Sequence, residues 1–550
     1  MKIKPLRLGD FEIEYPFTIP SGIVTTTADT IQRLADEIPE LGILTSKSIG
    51  PEERDGFETP VLEQTGPDTF RNAIGLSNPG YRKFAEEIRD LSLPKGKILV
   101  TSIFGGSEEE LVEVARGLAP YSDVLEINDS CPHVTGHGVD IGKYPELIEQ
   151  TTRAVRNAVD IPIIVKLPPL DHVAELAKAA ERGGADGLAL INTIASESDI
   201  LTNRRCGKSG GEIRDRGLEC VYRASNAVSI PIIGMGGIKT ADDVRLYMGA
   251  GANAFGIGSA VVPDMDTDQL KNYFRVLKMD LENGTNHTED LILDTMLMPY
   301  KPFKIDRVAA FADDLKIFYF DHELEAWPGQ FVFAHIPNGT EKPFSIADDD
   351  PLTLAVRKVG DFTSKLFECD VGDKIEMRGP YGKGFNLRDG SVLVGGGTGA
   401  APLRFLAKRI DNSLIFLGGK TRNQLLFFDD FERFGDVVAT TEDGSYGRKG
   451  LVTEALRGYG TNGSLNNTSF YNCGPEKMLV AAAGIEKEYT DPEKIFVAVE
   501  RYMKCGIGIC GACSIDGYRS CVDGPVFDIE EISAVLGKYT RDKSGARIEI

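Results

Sequence analysis

From about residue 17 to 262, short and nearly uninterrupted apolar runs alternate with stretches whose apolar residues recur at i, i+3 and i+4. Eight runs read as strands: "FTIPSG", "GILTSKSI", "ILVTSIFG", "DVLEINDS", "IPIIVKLPP", "GLALINTI", "IPIIGMGGI" and "AFGIGSAVV". Between them, "SEEELVEVARGLAP" and "DHVAELAKAAERGGA" have the pattern of amphipathic helices. Strands that are apolar at almost every position are buried on both faces, as in a parallel sheet covered by helices. A doubly wound open sheet would satisfy the same pattern. Eight units within about 250 residues fit a closed (β/α)8 TIM barrel better, so the fold class is α/β with a barrel first.

Residues 266–283 predict a last helix, and "ENGTNHTEDL" reads as a linker rich in Asn, Thr and Gly. Beyond about residue 300 the pattern changes. "KIFYFDHELEAWPGQFVFAHI" and "LTLAVRKVGDFTSKLFECDVGDKIEMRGPYG" read as short antiparallel strands with Gly, Pro and Asp turns, which predicts a small β-barrel. "KPFSI" at 342–346 reads as a polar break between β-runs. From residue 391, "SVLVGGGTGAAPLRFLAKRI", "SLIFLGGKT", "DVVATTEDG" and "SFYNCGPEKMLVAAAGI" restore the α/β alternation of a nucleotide-binding sheet. The expected domains are a barrel at 1–283, a linker at 284–300, a β-barrel at 301–388, an α/β domain at 389–490, and a cysteine-rich domain with a polar tail at 491–550.

Composition narrows the partners. The chain of 550 residues has 61 Lys and Arg against 83 Asp and Glu, a net charge of −22, which argues against nucleic acid and anionic membrane. No apolar run approaches the ~18 residues of a membrane span, and no apolar stretch follows the basic start, so the cytoplasm is expected. Nine cysteines do not make a disulfide framework in such a chain, and four of them crowd near the C-terminus.

Those four, Cys505, Cys510, Cys513 and Cys521, have the spacing C-x4-C-x2-C-x7-C. The first two gaps match the plant-type [2Fe–2S] pattern, whereas a zinc ribbon uses two separated C-x2-C knuckles. "VLVGGGTGAAPL" is a strand, a glycine turn and a helix start. There Gly395, Gly396, Gly397, Thr398 and Gly399 let a dinucleotide pyrophosphate approach, and a second loop at Cys473, Gly474 and Pro475 lies near the nicotinamide.

On the first barrel, polar residues stand where strands end: Ser21, Lys47, Ser102, Asn128, Lys166, Asn192, Gly236, Gly237 and Gly258. Barrel enzymes build their sites on that rim. Cations at Lys47 and Lys166 need partners, and glycine pairs on the last two strands suit a phosphate, so FMN is expected there. Asn72, Asn128 and Asn192 offer amides that match the alternating carbonyl and N–H groups of a dihydropyrimidine. Cys131, in the loop after the fourth strand, is placed to take a proton while the flavin takes a hydride.

Together "NAIGL", "SCP", "VKLPP", "INT", "GMGGI", "GGGTGAAPL", "DGSYG", "CGPEKML" and "ERYMKCGIGICGAC…CVDGPVF" resemble class 1B dihydroorotate dehydrogenase, with its catalytic and electron-transfer subunits in one chain. The resemblance implies that Cys131 is the base. It places Lys47, Asn72, Ala73, Ile74, Gly75, Leu76, Asn128, His133, Asn192 and Thr193 around the pyrimidine. FMN would be held by Ser21, Lys47, Ser48, Ser102, Asn128, Lys166, Ile191, Gly210, Gly236, Gly237, Gly258 and Ser259. FAD would lie against Lys342, Pro343, Phe344, Ser345, Val356, Arg357, Lys358, Phe362 and Thr363, and the four terminal cysteines would hold the cluster. Electrons would run from FMN through the cluster to FAD and then to NAD. The resemblance also implies a homodimer formed through the barrel.

Three positions depart from the family pattern. His133 stands in place of an asparagine, Ser102 in place of another, and Lys342 in place of the arginine of an R-P-x-S motif. The expected function is oxidation of (S)-dihydroorotate to orotate with NAD+ in pyrimidine biosynthesis; the alternatives are a uracil or thymine dihydropyrimidine dehydrogenase, and an electron carrier or redox sensor. Lys420 and Arg422 leave NADP open as the nucleotide.

Overall fold

The computed structural model describes residues 3–128, 142–201, 204–292, 294–336, 339–460 and 465–550. The chain divides into two compact units. The first comprises Met1–Leu297, Ile507–Gly517 and Arg541–Ile548, and the second comprises Met298–Gly506, Tyr518–Thr540 and Glu549–Ile550.

In the first unit all eight predicted strands form: β1 (Phe17–Ile19), β2 (Ile43–Thr45), β3 (Ile98–Ile103), β4 (Val124–Asn128), β5 (Ile163–Leu167), β6 (Gly187–Leu190), β7 (Ile232–Met235) and β8 (Ala254–Gly256). They are parallel and close in sequence order, with β8 beside β1. Alternate residues face opposite ways, as strand geometry requires. Ile43, Val100, Val124, Ile164 and Ile233 fill the interior, while Leu44, Leu99, Leu125, Val165 and Ile232 pack outward against helix residues such as Ile31, Leu111, Ile148 and Leu176. An N-terminal hairpin, Leu6–Leu8 against Phe11–Ile13, adds Leu6, Leu8 and Ile13 to the interior cluster. The predicted last helix is Thr267–Asn283, capped by Asp266, whose side chain accepts from the Gln269 N–H. Within the segment read as a linker, His287–Leu291 forms a 3-10 turn, and the Thr288 N–H donates to Asp280.

In the second unit, β9 (Lys301–Ala312), β10 (Leu315–Phe320), β11 (Phe331–His335), β12 (Glu341–Asp349), β13 (Leu352–Arg357) and β14 (Lys374–Tyr381) close a barrel in the order β9-β10-β13-β12-β11-β14. Two expectations need correcting here. "KPFSI" is no break, because it lies inside β12. That strand pairs with β11 over Glu341–Ser345 and with β13 only from Ile346 onward, so Pro343 sits where one side of the strand needs no donor. "DFTSKLF" is a helix, Asp361–Phe367, rather than a strand. Phe362 and Leu366 bury one face at i, i+4 spacing, and Thr363 Oγ1 accepts from the N–H groups of Val359 and Gly360.

The rest of this unit is a seven-stranded sheet. Its strands are β15 (Val392–Gly396), β16 (Ser413–Gly419), β17 (Gly435–Thr441), β18 (Arg448–Lys449), β19 (Phe470–Cys473), β20 (Ile495–Ala498) and β21 (Val526–Asp528), in the order β18-β17-β16-β15-β19-β20-β21. All pairs are parallel except β20 with β21. Among the described residues no helix is long and apolar enough to cross a membrane.

Asn472 on β19 donates at 2.9 Å to Glu486, which is wholly buried, and burial raises that carboxyl from 4.5 to about 8. The native state therefore favours the protonated acid. Its contribution to stability is complete below pH 4.5 and is lost as pH rises through about 8. Glu486→Gln removes this titration. In thermal melts the difference in melting temperature, variant minus parent, should grow from acid pH to pH 9; a difference flat with pH would refute the assignment.

Candidate active site

The C-terminal ends of the barrel strands gather the predicted polar residues. Asn128 is the last residue of β4, Lys166 lies near the end of β5, and Ser21, Lys47, Ser48 and Asn192 follow β1, β2 and β6. Their side chains join in one chain of hydrogen bonds. Asn192 Nδ2 donates to Asn128 Oδ1 at 3.2 Å, and Asn128 Nδ2 donates to Ser48 Oγ at 2.8 Å. Ser48 shares hydrogen bonds with Ser102 at 2.9 Å and with Ser21 at 3.3 Å, and Lys166 Nζ reaches Ser21 Oγ at 3.5 Å.

Lys166 is 3% exposed, and its counter-charge is Glu126, 3.6 Å away and equally buried. Glu126 Oε1 has no hydrogen-bond partner, so this pair is held by charge alone. Sequence reading passed over Glu126, yet a carboxylate inside the apolar run "VLEIN" was the available signal, because a buried charge demands a partner.

The loop expected to hold the substrate follows a four-stranded sheet ordered Ile194–Ser196, Cys206–Gly210, Thr69–Asn72, Leu62–Gly66. This sheet ties Asn72 to the segment that follows Asn192 and Thr193. The Asn72 amide is spent on the Gly207 carbonyl at 3.0 Å, so it orients the loop. Ala73 is fully buried, Gly75 and Leu76 have φ of +80° and +53°, and the Ile74 carbonyl accepts from Phe57 N–H. Thr193 Oγ1 is buried without a hydrogen-bond partner. Cys131 and His133 lie outside the described residues.

The pocket of polar groups fits a flavin. Its donors and acceptors come from six strand ends, and an orphaned hydroxyl waits at Thr193. Beyond β7 the backbone packs so closely that only glycine fits. Gly237 has a φ of +69°, and a Cβ there would lie 2.8 Å from the Gly210 carbonyl oxygen and 2.9 Å from Arg214 Cβ. Ile191 packs beside Gly236, and the Gly236 carbonyl accepts from Tyr247 OH at 2.7 Å. Gly258 and Ser259 follow β8 at the same rim.

Two stretches from the far end of the chain belong to this unit. Ile507–Gly517 carries Cys510 and Cys513; the Ile509 carbonyl accepts from Val24 N–H at 2.8 Å and the Ile507 carbonyl from Asp264 N–H at 3.0 Å. Val24 and Asp264 follow β1 and β8, so the cysteine loop sits on the same rim as Ser21 and Gly258.

In the second unit β12 carries Lys342–Ser345 and β13 ends at Val356 and Arg357, with Lys358 next. Phe344 meets Phe362 with ring centroids 6.0 Å apart, which joins two of the expected FAD segments. Lys342 Nζ lies 5.9 Å from the Tyr502 ring centroid. The two expected nucleotide loops touch: β15 and β19 are neighbours, and a Cβ on Gly399 would come 2.4 Å from the Cys473 carbonyl carbon. Gly395–Thr398 runs from β15 into a 3-10 turn before the helix Ala400–Ala407, and Pro475 precedes the helix Glu476–Glu486. Burial pushes the Cys473 thiol up, so it stays neutral. Arg422 lies over the rings of Phe428 and Tyr446 and pairs with Asp429 at 3.3 Å.

Cys505 and Cys521 belong to this unit and are almost fully buried. The four terminal cysteines are the sulfur donor set a [2Fe–2S] cluster needs. Among the described residues no three His, Cys, Asp or Glu side chains are gathered as a metal site. The Cys505 carbonyl accepts from Arg378 Nη1 at 2.8 Å. That guanidinium is fully buried, bidentate to Glu341 at 2.7 and 2.8 Å, and 4.0 Å from the Phe333 ring centroid.

These features define a flavin-dependent barrel oxidoreductase joined to a nucleotide-linked electron-transfer module. Residues 7–269 match the family dihydroorotate dehydrogenase, residues 393–483 the oxidoreductase NAD-binding domain, and residues 500–533 the iron-sulfur cluster binding domain of dihydroorotate dehydrogenase B. The second half is 42% identical over 238 residues, 92% of the relative and 42% of this chain, to the probable dihydroorotate dehydrogenase B (NAD(+)) electron transfer subunit of Pyrococcus horikoshii. The first half is 37% identical over 266 residues, 86% of the relative and 46% of this chain, to the catalytic subunit from the same organism. It is 38% identical over 269 residues, 86% of the relative and 47% of this chain, to the catalytic subunit of Methanosarcina acetivorans. The chain belongs to the dihydroorotate dehydrogenase B family of oxidoreductases and carries both subunit sequences in one polypeptide.

Replacing Glu126 with Gln leaves the buried Lys166 ammonium without its counter-charge. In the flavin-free chain this should cost the first unit about 3 kcal/mol, measured by denaturant unfolding, and Glu126→Gln combined with Lys166→Met should recover part of the loss. Equal stability of parent and single variant would show that the pair carries no weight.

Proposed function

We propose that the chain oxidises (S)-dihydroorotate to orotate in the first unit and reduces NAD+ in the second, as a cytoplasmic step of pyrimidine synthesis. The observation that carries this reading is the linked network Asn192–Asn128–Ser48–Ser102 beside Lys166 at the barrel mouth. The reaction removes a proton from one ring carbon and a hydride from its neighbour, leaving a carbon–carbon double bond. FMN, FAD and a [2Fe–2S] cluster, when bound, supply the hydride acceptor and the one- and two-electron carriers between the two reactions.

The protein's own groups do the rest. Asn128 and Asn192 present both donors and acceptors, and through Ser48 their orientation is tied to Ser102 and Ser21. Dihydropyrimidine carbonyl and N–H groups complete these amides, and an analogue without them leaves buried polar groups unpaired. Lys47, on the β2 rim, supplies a cation for the substrate carboxylate. Dihydrouracil has no carboxylate, which favours dihydroorotate over that alternative. Asn72 to Leu76 and Thr193 close the pocket, and Cys131 takes the proton. Cys505, Cys510, Cys513 and Cys521 would hold the cluster. Gly395–Gly399 and Cys473–Pro475 would hold NAD, and Lys342–Ser345, Val356–Lys358, Phe362 and Thr363 would hold FAD.

Cys131→Ser should slow dihydroorotate oxidation near neutral pH by about 10²-fold or more, the scale of losing a general base, while NADH-driven dye reduction persists. Equal loss of both activities would contradict proton transfer by Cys131. Faster turnover of dihydrouracil than of dihydroorotate would overturn the substrate, and dye reduction without any pyrimidine turnover would leave an electron carrier.

A further inference from the structure

The tail "TRDKSGARIEI" has the composition of a solvated end, yet Arg541–Ile548 belongs to the first unit. Its anchor is Arg541, whose side chain is 2% exposed. Arg541 Nη1 donates to both carboxylate oxygens of Glu87 at 3.0 Å, and Nη2 donates to Asp29 at 2.9 Å. Arg547 takes the other Asp29 oxygen at 2.6 Å. A charge buried this deeply holds its position only because two carboxylates answer it.

The anchored segment forms a tight turn. Asp542 Oδ1 accepts from the N–H groups of Ser544, Gly545 and Ala546 at 2.9, 3.1 and 3.0 Å. The turn lies against the segments flanking the expected substrate loop. Ser77 Oγ, one residue past Leu76, donates to the Lys543 carbonyl at 3.0 Å. Ser544 Oγ donates to Glu53 at 2.9 Å, and Lys543 pairs with Glu58 at 2.5 Å. At its tip, the Ser544 carbonyl accepts from Lys47 Nζ at 3.3 Å, and a Cβ on Gly545 would lie 3.4 Å from the same nitrogen.

We propose that Arg541–Ile548 is a working wall of the barrel mouth, in which Arg541 clamps the turn so that the Ser544 carbonyl positions the Lys47 ammonium toward the substrate. Ser544 and Arg541 are positioning residues, because they act through Lys47. The functional part of the proposal rests on the reading of Lys47 as a substrate contact; the clamp itself does not. A backbone carbonyl neutralises no charge. It fixes the direction of the ammonium.

Three forms of the full chain test this: the parent, a chain ending at Thr540, and Arg541→Lys, which keeps the charge but loses the fork that serves Glu87 and Asp29 together. Each is stripped of flavin and treated with limiting acetic anhydride, and acetylation of individual lysines is followed by peptide mass spectrometry. Losing one hydrogen bond to a charged group should speed Lys47 acetylation about tenfold in the shortened chain and by an intermediate factor in Arg541→Lys, with Lys97, which donates to the Ile38 carbonyl, and Lys239, which pairs with Asp68, unchanged. Equal Lys47 rates in all three forms would overturn the clamp. A general rise across all lysines would mean that the tail only stabilises the fold, and would also overturn it.

In the flavin-loaded chain the expected signature is a rise of about tenfold in KM for dihydroorotate with little change in kcat and with NADH-driven dye reduction intact. If Lys47 accelerates but orotate does not perturb the flavin spectrum of even the parent chain, the clamp stands and the proposed substrate fails. If orotate binds the parent and the shortened chain alike, the positioning role fails while the proposed function survives.

Discussion

A lysine ammonium withdrawn from water cannot stand uncompensated, and the first unit is organised around meeting that requirement at Lys166. The answer is incomplete by design of the neighbourhood. Glu126 supplies charge from 3.6 Å without a hydrogen bond, and Ser21 supplies one long contact at 3.5 Å. A cation satisfied in this partial way keeps a strong preference for an electron-rich partner above the barrel. The serine and asparagine chain then fixes which atoms such a partner meets, since every amide in it is already oriented by its neighbour. The barrel interior below is lined by apolar side chains, with Leu6, Leu8 and Ile13 at its base, and the polar groups stand at the rim.

The second unit solves a different problem with the same economy of charge. Arg378 is fully buried, and it is tolerated because Glu341 meets it bidentately and the Cys505 carbonyl takes a further N–H. The guanidinium thereby ties the first cysteine of the terminal motif to the small β-barrel. On the sheet, Gly399 and Cys473 approach so closely that no side chain fits between them, which brings the two nucleotide loops together. In the first unit, Ile507–Gly517 brings Cys510 and Cys513 to the rim beside β1 and β8.

The eight barrel strands were legible because full burial on both faces makes each an unbroken apolar run, and the rim residues followed from where those runs stop. The N-terminal hairpin was not, because two strands of three residues carry too little pattern to separate from a loop. Pro343 disguised β12: proline argues against a strand unless one side is unpaired, and pairing is a tertiary fact. Glu126 was visible as an anomaly in "VLEIN" but its partner lies forty residues on, at Lys166. The tail was illegible for the same reason in stronger form, since Arg541 finds Asp29 and Glu87 at the opposite end of the chain. Long-range charge pairing leaves no periodic mark.

The central claim is that a dihydropyrimidine oxidised in one unit delivers its electrons to a nicotinamide nucleotide in the other. Anaerobic titration of the flavin-loaded chain with dihydroorotate, followed by NAD+, tests it most directly. The account predicts that dihydroorotate bleaches the flavin absorbance and that NAD+ restores it with formation of NADH. Flavin that is bleached by NADH but left untouched by dihydroorotate would contradict it.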